Sequence, residues 1–350
     1  MNRIWLTALL LLGIGLSGCS QFFAGDQPDS DARAVFERLF SEIEEKYSFL
    51  DYKGINTDSL YARYSSQIQP GMDEIALFRV LESMVNELRD GHANLNAPFT
   101  FSNYYPLWLN SPENYEGRLL LERYLRRVPS RHFITGPFQH TVIDTAGLRV
   151  GLMTYRSFSS GFSEQDLDFI FDRFQGLDGV IIDMRSNGGG MIDNVYRIAA
   201  RFADAERVSH YHRMKSGRGR NDFGPDQTVF VRPTTGKRFT GRVAMLTNRG
   251  CYSATSLFAL QMRALPHVRL VGDTTGGGLG IPNGGSLPNG WTYRFSVGQA
   301  ISPEVDLNGN GFNWEDGIPP HIRVDLDPAL VAQGYDSMVE RAIAYIASGN

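Results

Sequence analysis

Two cysteines among 350 residues, Cys19 and Cys251, are too few for a disulfide framework, so the chain must hold together by packing. Neither sign of charge is in excess. Thirty-four basic residues stand against 38 acidic ones, a formal charge of −4 and a pI near 6.0, which offers no field to gather nucleic acid or an anionic membrane surface. No repeat or low-complexity segment is present, and the one long apolar run, Ile4 to Leu16, falls short of the roughly 20 residues a membrane-spanning helix needs. The phosphate-binding signatures G-x-G-x-x-G and G-x-x-x-x-G-K-[ST] are missing. His210 and His212 form an H-x-H pair, but no Cys, Asp or Glu cluster stands beside them, so neither a metal nor another cofactor is expected. What is present is a core-forming composition, 42% hydrophobic and 21% charged, which excludes disorder, collagen and coiled coil. Thirty-seven glycines and 12% aromatics point to many tight turns around a sheet-rich core.

The first residues read as an address. Arg3, the apolar run and then Leu16-Ser17-Gly18-Cys19 have the layout of a secretory signal, and small residues directly before a cysteine resemble the lipobox of bacterial lipoproteins. That resemblance implies a signal peptide over residues 1–18 and a lipid on Cys19, the only membrane contact expected. Ser20 in place of aspartate implies an outer-membrane destination facing the periplasm. Residues 19–31 read as a polar tether.

From residue 32 to about 97 apolar residues recur at helical spacing, among them Val35, Leu39, Ile43, Leu77, Leu81, Met84 and Leu88, which predicts a helical domain of three helices. Residues 98–147 read as an irregular connection whose aromatics Tyr104, Tyr105 and Trp108 serve either core packing or the border of a cleft. From 148 to 350 strands alternate with helices: strands at 148–155, 179–184, 242–247 and 268–271, and helices at 162–174, 190–202, 253–265 and 328–347. Such alternation predicts an α/β fold with a largely parallel sheet and a site at the carboxyl ends of its strands.

Three segments carry chemistry. Val180–Gly190 runs from a buried strand through Asp183-Met184-Arg185-Ser186-Asn187 into three glycines that open a helix, an arrangement of bare amides suited to an anion or to the oxyanion of acyl transfer. Leu246–Thr255 repeats that layout with Ser253 in the first helical turn, where a serine serves as an N-cap or as a nucleophile. Leu88–Ala93 places His92 among polar and small residues, and histidine is the usual proton acceptor for a serine hydroxyl.

Together with Val271-Gly272-Asp273-Thr274-Thr275-Gly276-Gly277 and Glu315-Asp316-Gly317-Ile318-Pro319-Pro320, these segments resemble, in order and spacing over about residues 30–330, the C-terminal processing (tail-specific) serine peptidases, in particular the tricorn-core-like branch. The resemblance implies a ClpP/crotonase-like spiral core behind an N-terminal helical domain. It places the nucleophile on Ser253, the base on His92, and the oxyanion donors on Ala254 and on Gly188 or Gly189. Glu315 is the matched partner for His92, with Asp90 as a local alternative. Three departures stand out. No lysine follows Gly276-Gly277-Gly278, Lys237 being the nearest before it. Gly91 replaces the relay serine. The 55 residues between His92 and Leu148 are too few for a peptide-capturing PDZ domain.

The expected activity is hydrolysis of peptide bonds in peptide or unfolded-protein substrates. Alternatives are an inactive relative that holds a peptide or apolar ligand, and a crotonase-like acyl-CoA enzyme, which the secretory address disfavours. Asp306-Leu307-Asn308-Gly309-Asn310-Gly311 begins like a calcium loop but has Gly317 at the twelfth position, and the Asn-Gly pairs equally mark hairpin turns.

Overall fold

The structure, a computed structural model, describes residues 31–104, 111–126, 132–305 and 309–349. Cys19 with the signal and tether up to residue 30, Tyr105, Trp108 and the start of the Asp306–Gly311 loop lie outside the described residues. Three helices lead the chain: α1 (Ala32–Lys46), α2 (Thr57–Ser65) and α3 (Glu74–Asn86), with Asp31, Asn56 and Asp73 accepting backbone N–H bonds as N-caps. They are followed by β1 (Asn94–Ala97), β2 (Thr100–Phe101) and a short helix α4 (Gly117–Leu119) that widens into a π turn at Leu120–Leu125.

The main sheet contains β3 (Phe133–Thr135), β4 (Phe138–Thr145), β5 (Leu148–Tyr155), β6 (Gly179–Asp183), β9 (Arg242–Thr247), β10 (Val268–Gly272) and β13 (Ile322–Arg323), in the order β13-β10-β9-β6-β5-β4-β3. Its strands from β5 to β13 run parallel, and β4 and β3 extend it antiparallel. The segment read as irregular thus supplies two strands to this sheet and β2 besides. The eight residues of β4 follow no clean alternation, because residues on both of its faces are buried.

Period two explains the burial of the parallel strands. Val180, Ile182, Val243 and Met245 enter one core with α5 (Glu164–Arg173), α6 (Ile192–Ala199) and α7 (Ala254–Arg263). Ile181, Ala244, Leu246 and Val271 enter a second core under α9 (Ser337–Ser348). The closing helix expected over 328–347 is split into α8 (Pro328–Ala332) and α9, with Gly334 at φ 82° between them. Registers of Thr154 with Asp183, Asp183 with Leu246 and Leu246 with Val271 bring the strand ends level, so the loops after β6, β9 and β10 leave from one edge.

A second sheet runs β2-β1-β12-β7-β8, with β11 (Gly280–Ser286) also on β12 (Thr292–Ile301); β7 is Arg207–Met214 and β8 is Gln227–Val231. This sheet joins the helical front to the rest. Trp291, Tyr293 and Phe295 are buried in the core of α1–α3, and β1 pairs antiparallel with β12 through Asn94 and Arg294. His92, two residues before β1, is thereby placed by a strand 200 positions away in sequence. A helical front followed by an α/β core is the fold class expected.

Candidate active site

Ser253 sits between β9 and α7 with φ 56° and ψ −121°, a strained backbone for a residue with a side chain. Four bonds hold that turn: Ser253 N–H to Gly277 O (3.0 Å), Tyr252 N–H to Asn187 O (3.2 Å), Thr255 N–H to Tyr252 O (3.0 Å) and Leu257 N–H to Ser253 O (3.0 Å). The side chain makes no capping bond to α7, so the ordinary job of a serine at this position is left undone. Its Oγ lies 2.9 Å from His92 Nε2 instead.

His92 is buried at 5% exposure, and its own backbone N–H donates to Asp90 Oδ1 at 2.7 Å. Asp90 Oδ2 accepts from Ser296 Oγ at 2.8 Å, which ties the His92 turn to β12. Burial lowers the His92 pKa below the usual histidine value; the Asp90 charge opposes this, and Arg294 and Lys53 reinforce it. The ring is therefore neutral at neutral pH, the state a base requires. Its Nδ1 is buried and meets no hydrogen-bond partner among the described residues.

Glu315, the carboxylate matched to His92 by resemblance, does not hydrogen-bond that ring. Its Oε2 accepts the Gly280 N–H at 2.9 Å and its Oε1 lies 4.0 Å from Lys53 Nζ. Burial drives its pKa well above the carboxylate range; Asp90 and Asp316 add to this, against Lys53. Asp90, the local alternative, bonds the His92 backbone and acts on the ring through its charge. Lys237 is remote from these groups, in an exposed ion pair with Asp172. The lysine that the fold brings to the site's rear wall is Lys53, from the turn after α1, which donates to Arg89 O at 2.7 Å. Nothing local in the sequence marks it.

The glycine loop folds back on the serine turn. Gly189 has φ 101°, and a Cβ there would stand 2.7 Å from Tyr252 O and 2.9 Å from Ala254 N, so only glycine fits. Its amide donates to Asn187 Oδ1 at 3.0 Å. Of the two glycines expected to donate to an oxyanion, Gly189 is thus occupied. Gly188 is exposed with open space beside it, and the amides of Gly188 and Ala254 donate to no acceptor among the described residues.

Asn187 and Asn248 were not singled out by sequence, yet they build this loop. Asn187 Nδ2 donates to Tyr155 O at 2.8 Å, and Asn248 Oδ1 accepts from Ser186 N (2.7 Å) and Gly250 N (3.1 Å), lacing the two loops together. Below them Arg185, fully buried, spans Asp183 (2.7 Å) and Asp336 (2.8 Å). Tyr252 explains Gly91. A Cβ on Gly91 would lie 2.7 Å from the Tyr252 hydroxyl, so the space for the relay serine is already filled. Cys251 is buried, its thiol pushed up to about 12 mainly by burial and directed at Met184 O (3.1 Å), so it is a packing residue.

An uncapped serine on a strained turn, a neutral histidine on its hydroxyl and two unspent amides beside it make the arrangement that serine-type acyl transfer uses. Comparison with known proteins agrees. Residues 149–324 match Peptidase family S41 and residues 28–86 match the tricorn protease C1 domain. The chain belongs to peptidase family S41. It is similar to a crystal structure from Parabacteroides merdae, classed provisionally as a peptidase, with 34% identity, 92% of this chain and 98% of that one covered, and a TM-score of 0.83. Mature CPAF shares the fold at 12% identity over 91% and 98% of the two chains, with a TM-score of 0.67. The photosystem II D1 C-terminal processing protease does so at 14% identity over 88% and 98%, with a TM-score of 0.52.

Proposed function

We propose that this chain is a serine peptidase that cleaves peptide or unfolded-protein substrates through an acyl-enzyme. The observation that carries the reading is the 2.9 Å contact between Ser253 Oγ and His92 Nε2, made by a serine that leaves its helix uncapped. His92 takes the hydroxyl proton on Nε2 as Ser253 Oγ attacks the scissile carbonyl carbon. The carbonyl oxygen becomes an oxyanion and draws on the Gly188 and Ala254 amides. Collapse expels the amine, which leaves with the proton from His92. Water, giving its proton to the same nitrogen, then attacks the ester, and His92 returns that proton to Ser253 Oγ as the carboxylic acid leaves. Asp90 is the carboxylate whose charge favours the transient imidazolium, and Glu315 holds the Gly280 amide nearby.

The lipobox at Ser17-Gly18-Cys19 supports a place in the cell envelope, anchored by lipid on Cys19 and facing the periplasm from the outer membrane, with no other membrane contact and no nucleic-acid partner. A second reading, a binding lipoprotein without chemistry, is favoured by one observation, the buried His92 Nδ1 without a hydrogen-bond partner among the described residues. Purified protein and its Ser253→Ala variant, incubated with an unfolded polypeptide, separate the two. The peptidase reading expects cleavage by the parent and none by a variant with unchanged circular dichroism. Equal cleavage by both, or none by either, rejects it.

A further inference from the structure

His210 and His212, set aside in sequence for want of neighbours, converge in the fold. Two residues apart on one face of β7, they bring their Nε2 atoms to 3.0 Å, with ring centroids 4.8 Å apart. The pairing of β7 with β8 slips between Val208 and His210, and the Ser209 hydroxyl released there meets three groups: His210 Nδ1 and Gln261 Nε2, each at 2.8 Å, and Val229 O at 3.2 Å. A hydroxyl has one proton to give. The Val229 carbonyl only accepts and so receives it, which obliges the Gln261 amide and His210 Nδ1 to donate to Ser209. The His210 proton is therefore on Nδ1, and its Nε2 accepts the His212 Nε2–H at 3.0 Å, a proton that an ion entering the pair shifts to His212 Nδ1.

His212 and Gln261 line a cavity of about 670 Å³ together with Tyr196, Thr228 and Phe230. Gln261 is 1% exposed, and its Oε1 is buried without a hydrogen-bond partner among the described residues. Two nitrogens bound tetrahedrally to zinc at about 2.0–2.1 Å stand about 3.3 Å apart, a few tenths of an ångström wider than this pair.

We propose that His210 and His212 form a two-point seat for a borderline divalent transition-metal ion of the zinc or copper class, with water from the cavity completing the coordination. Imidazole suits these ions. Ser209 stands behind His210 Nδ1 as the outer hydrogen-bond partner that fixes a ligating ring, and Gln261 Oε1 offers an acceptor for a metal-bound water. Among the described residues no group of three or more His, Cys, Asp and Glu surrounds the seat, so it is an open site rather than a closed structural one. Gln261 lies on α7, the helix that begins after Ser253, so occupancy would link β7 to the helix that carries the nucleophile.

The test uses the untagged, chelator-stripped full chain, titrated with Zn²⁺ by calorimetry and with Co²⁺ by visible absorption. Expected are one ion per chain and a thermal midpoint raised by Zn²⁺, both lost in His212→Ala, and binding weakened about 10–100-fold in Ser209→Ala. His212 is only partly buried, so its variant should keep the parent's circular dichroism, and His212→Gln serves as a second variant if it does not. No saturable binding by the parent, or binding that survives in the His212 variants, overturns the proposal. None of these readouts depends on peptidase activity.

Discussion

Asn187 offers a way to tell an oxyanion loop from a merely well-packed one. Its side chain is wholly buried; Oδ1 accepts the Gly189 amide at 3.0 Å and Nδ2 donates to Tyr155 O at 2.8 Å. Asn187→Ala removes both bonds and leaves a buried N–H and a buried carbonyl unpaired, at about 1–3 kcal/mol each. Asn187→Asp keeps the acceptor for Gly189 and loses only the bond to Tyr155. If the loop served structure alone, the kcat of each variant would track the stability it retains in urea. If the neighbouring Gly188 amide stabilises an oxyanion, a carboxylate at Asn187 repels the developing charge, and the order of kcat becomes parent, then alanine, then aspartate. Losing one oxyanion donor costs about 10²–10³ in kcat. The alanine variant should therefore lose up to that factor with KM little changed, and the aspartate variant should lose more. Measurement of kcat and KM on one peptide, with urea unfolding as the stability control, decides it. An aspartate variant faster than the alanine variant refutes the oxyanion assignment.

Further outcomes follow from the same structure. Replacing Arg185 by leucine strands Asp183 and Asp336 as buried charges and should cost about 3–5 kcal/mol by denaturant unfolding. Gly91→Ser pushes a Cβ to within 2.7 Å of the Tyr252 hydroxyl; it should lower kcat through displacement of His92 while circular dichroism stays native, and unchanged kcat would show that Tyr252 yields freely. Because burial lowers the His92 pKa, the acid limb of kcat/KM should fall below the usual histidine value of about 6.5. The sign for stability is the same: the neutral buried ring favours the folded state above the unfolded pKa, and that contribution is lost as pH falls through the lower folded value.

Local pattern marked the Ser253 turn and the His92 segment, and the resemblance to the tail-specific peptidases is what paired them. An apolar strand, a polar turn and small residues before a helix mark both Gly179–Gly190 and Arg242–Ala254, and His92 follows the third amphipathic helix. The order and type of the parallel elements were readable for the same reason. Long-range closure was not. The helical core borrows Trp291, Tyr293 and Phe295 from a strand far along the chain, and Lys53 reaches Glu315 only once that core has docked. Strand β7 carries Arg207, His210, His212 and Arg213 and a register slip, so it shows no clean alternation to read. The partners of Glu315 were obscured differently. Resemblance matched the residue, but its carboxylate is occupied by the Gly280 amide, a bond set by the approach of β11.

The central claim is that Ser253 is a nucleophile activated by His92. A fluorophosphonate probe tests it directly: mass spectrometry of the treated chain should find one adduct, on Ser253, formed at a rate that drops by orders of magnitude in a folded His92→Ala variant. An unlabelled Ser253, or one labelled equally fast without His92, would contradict the account.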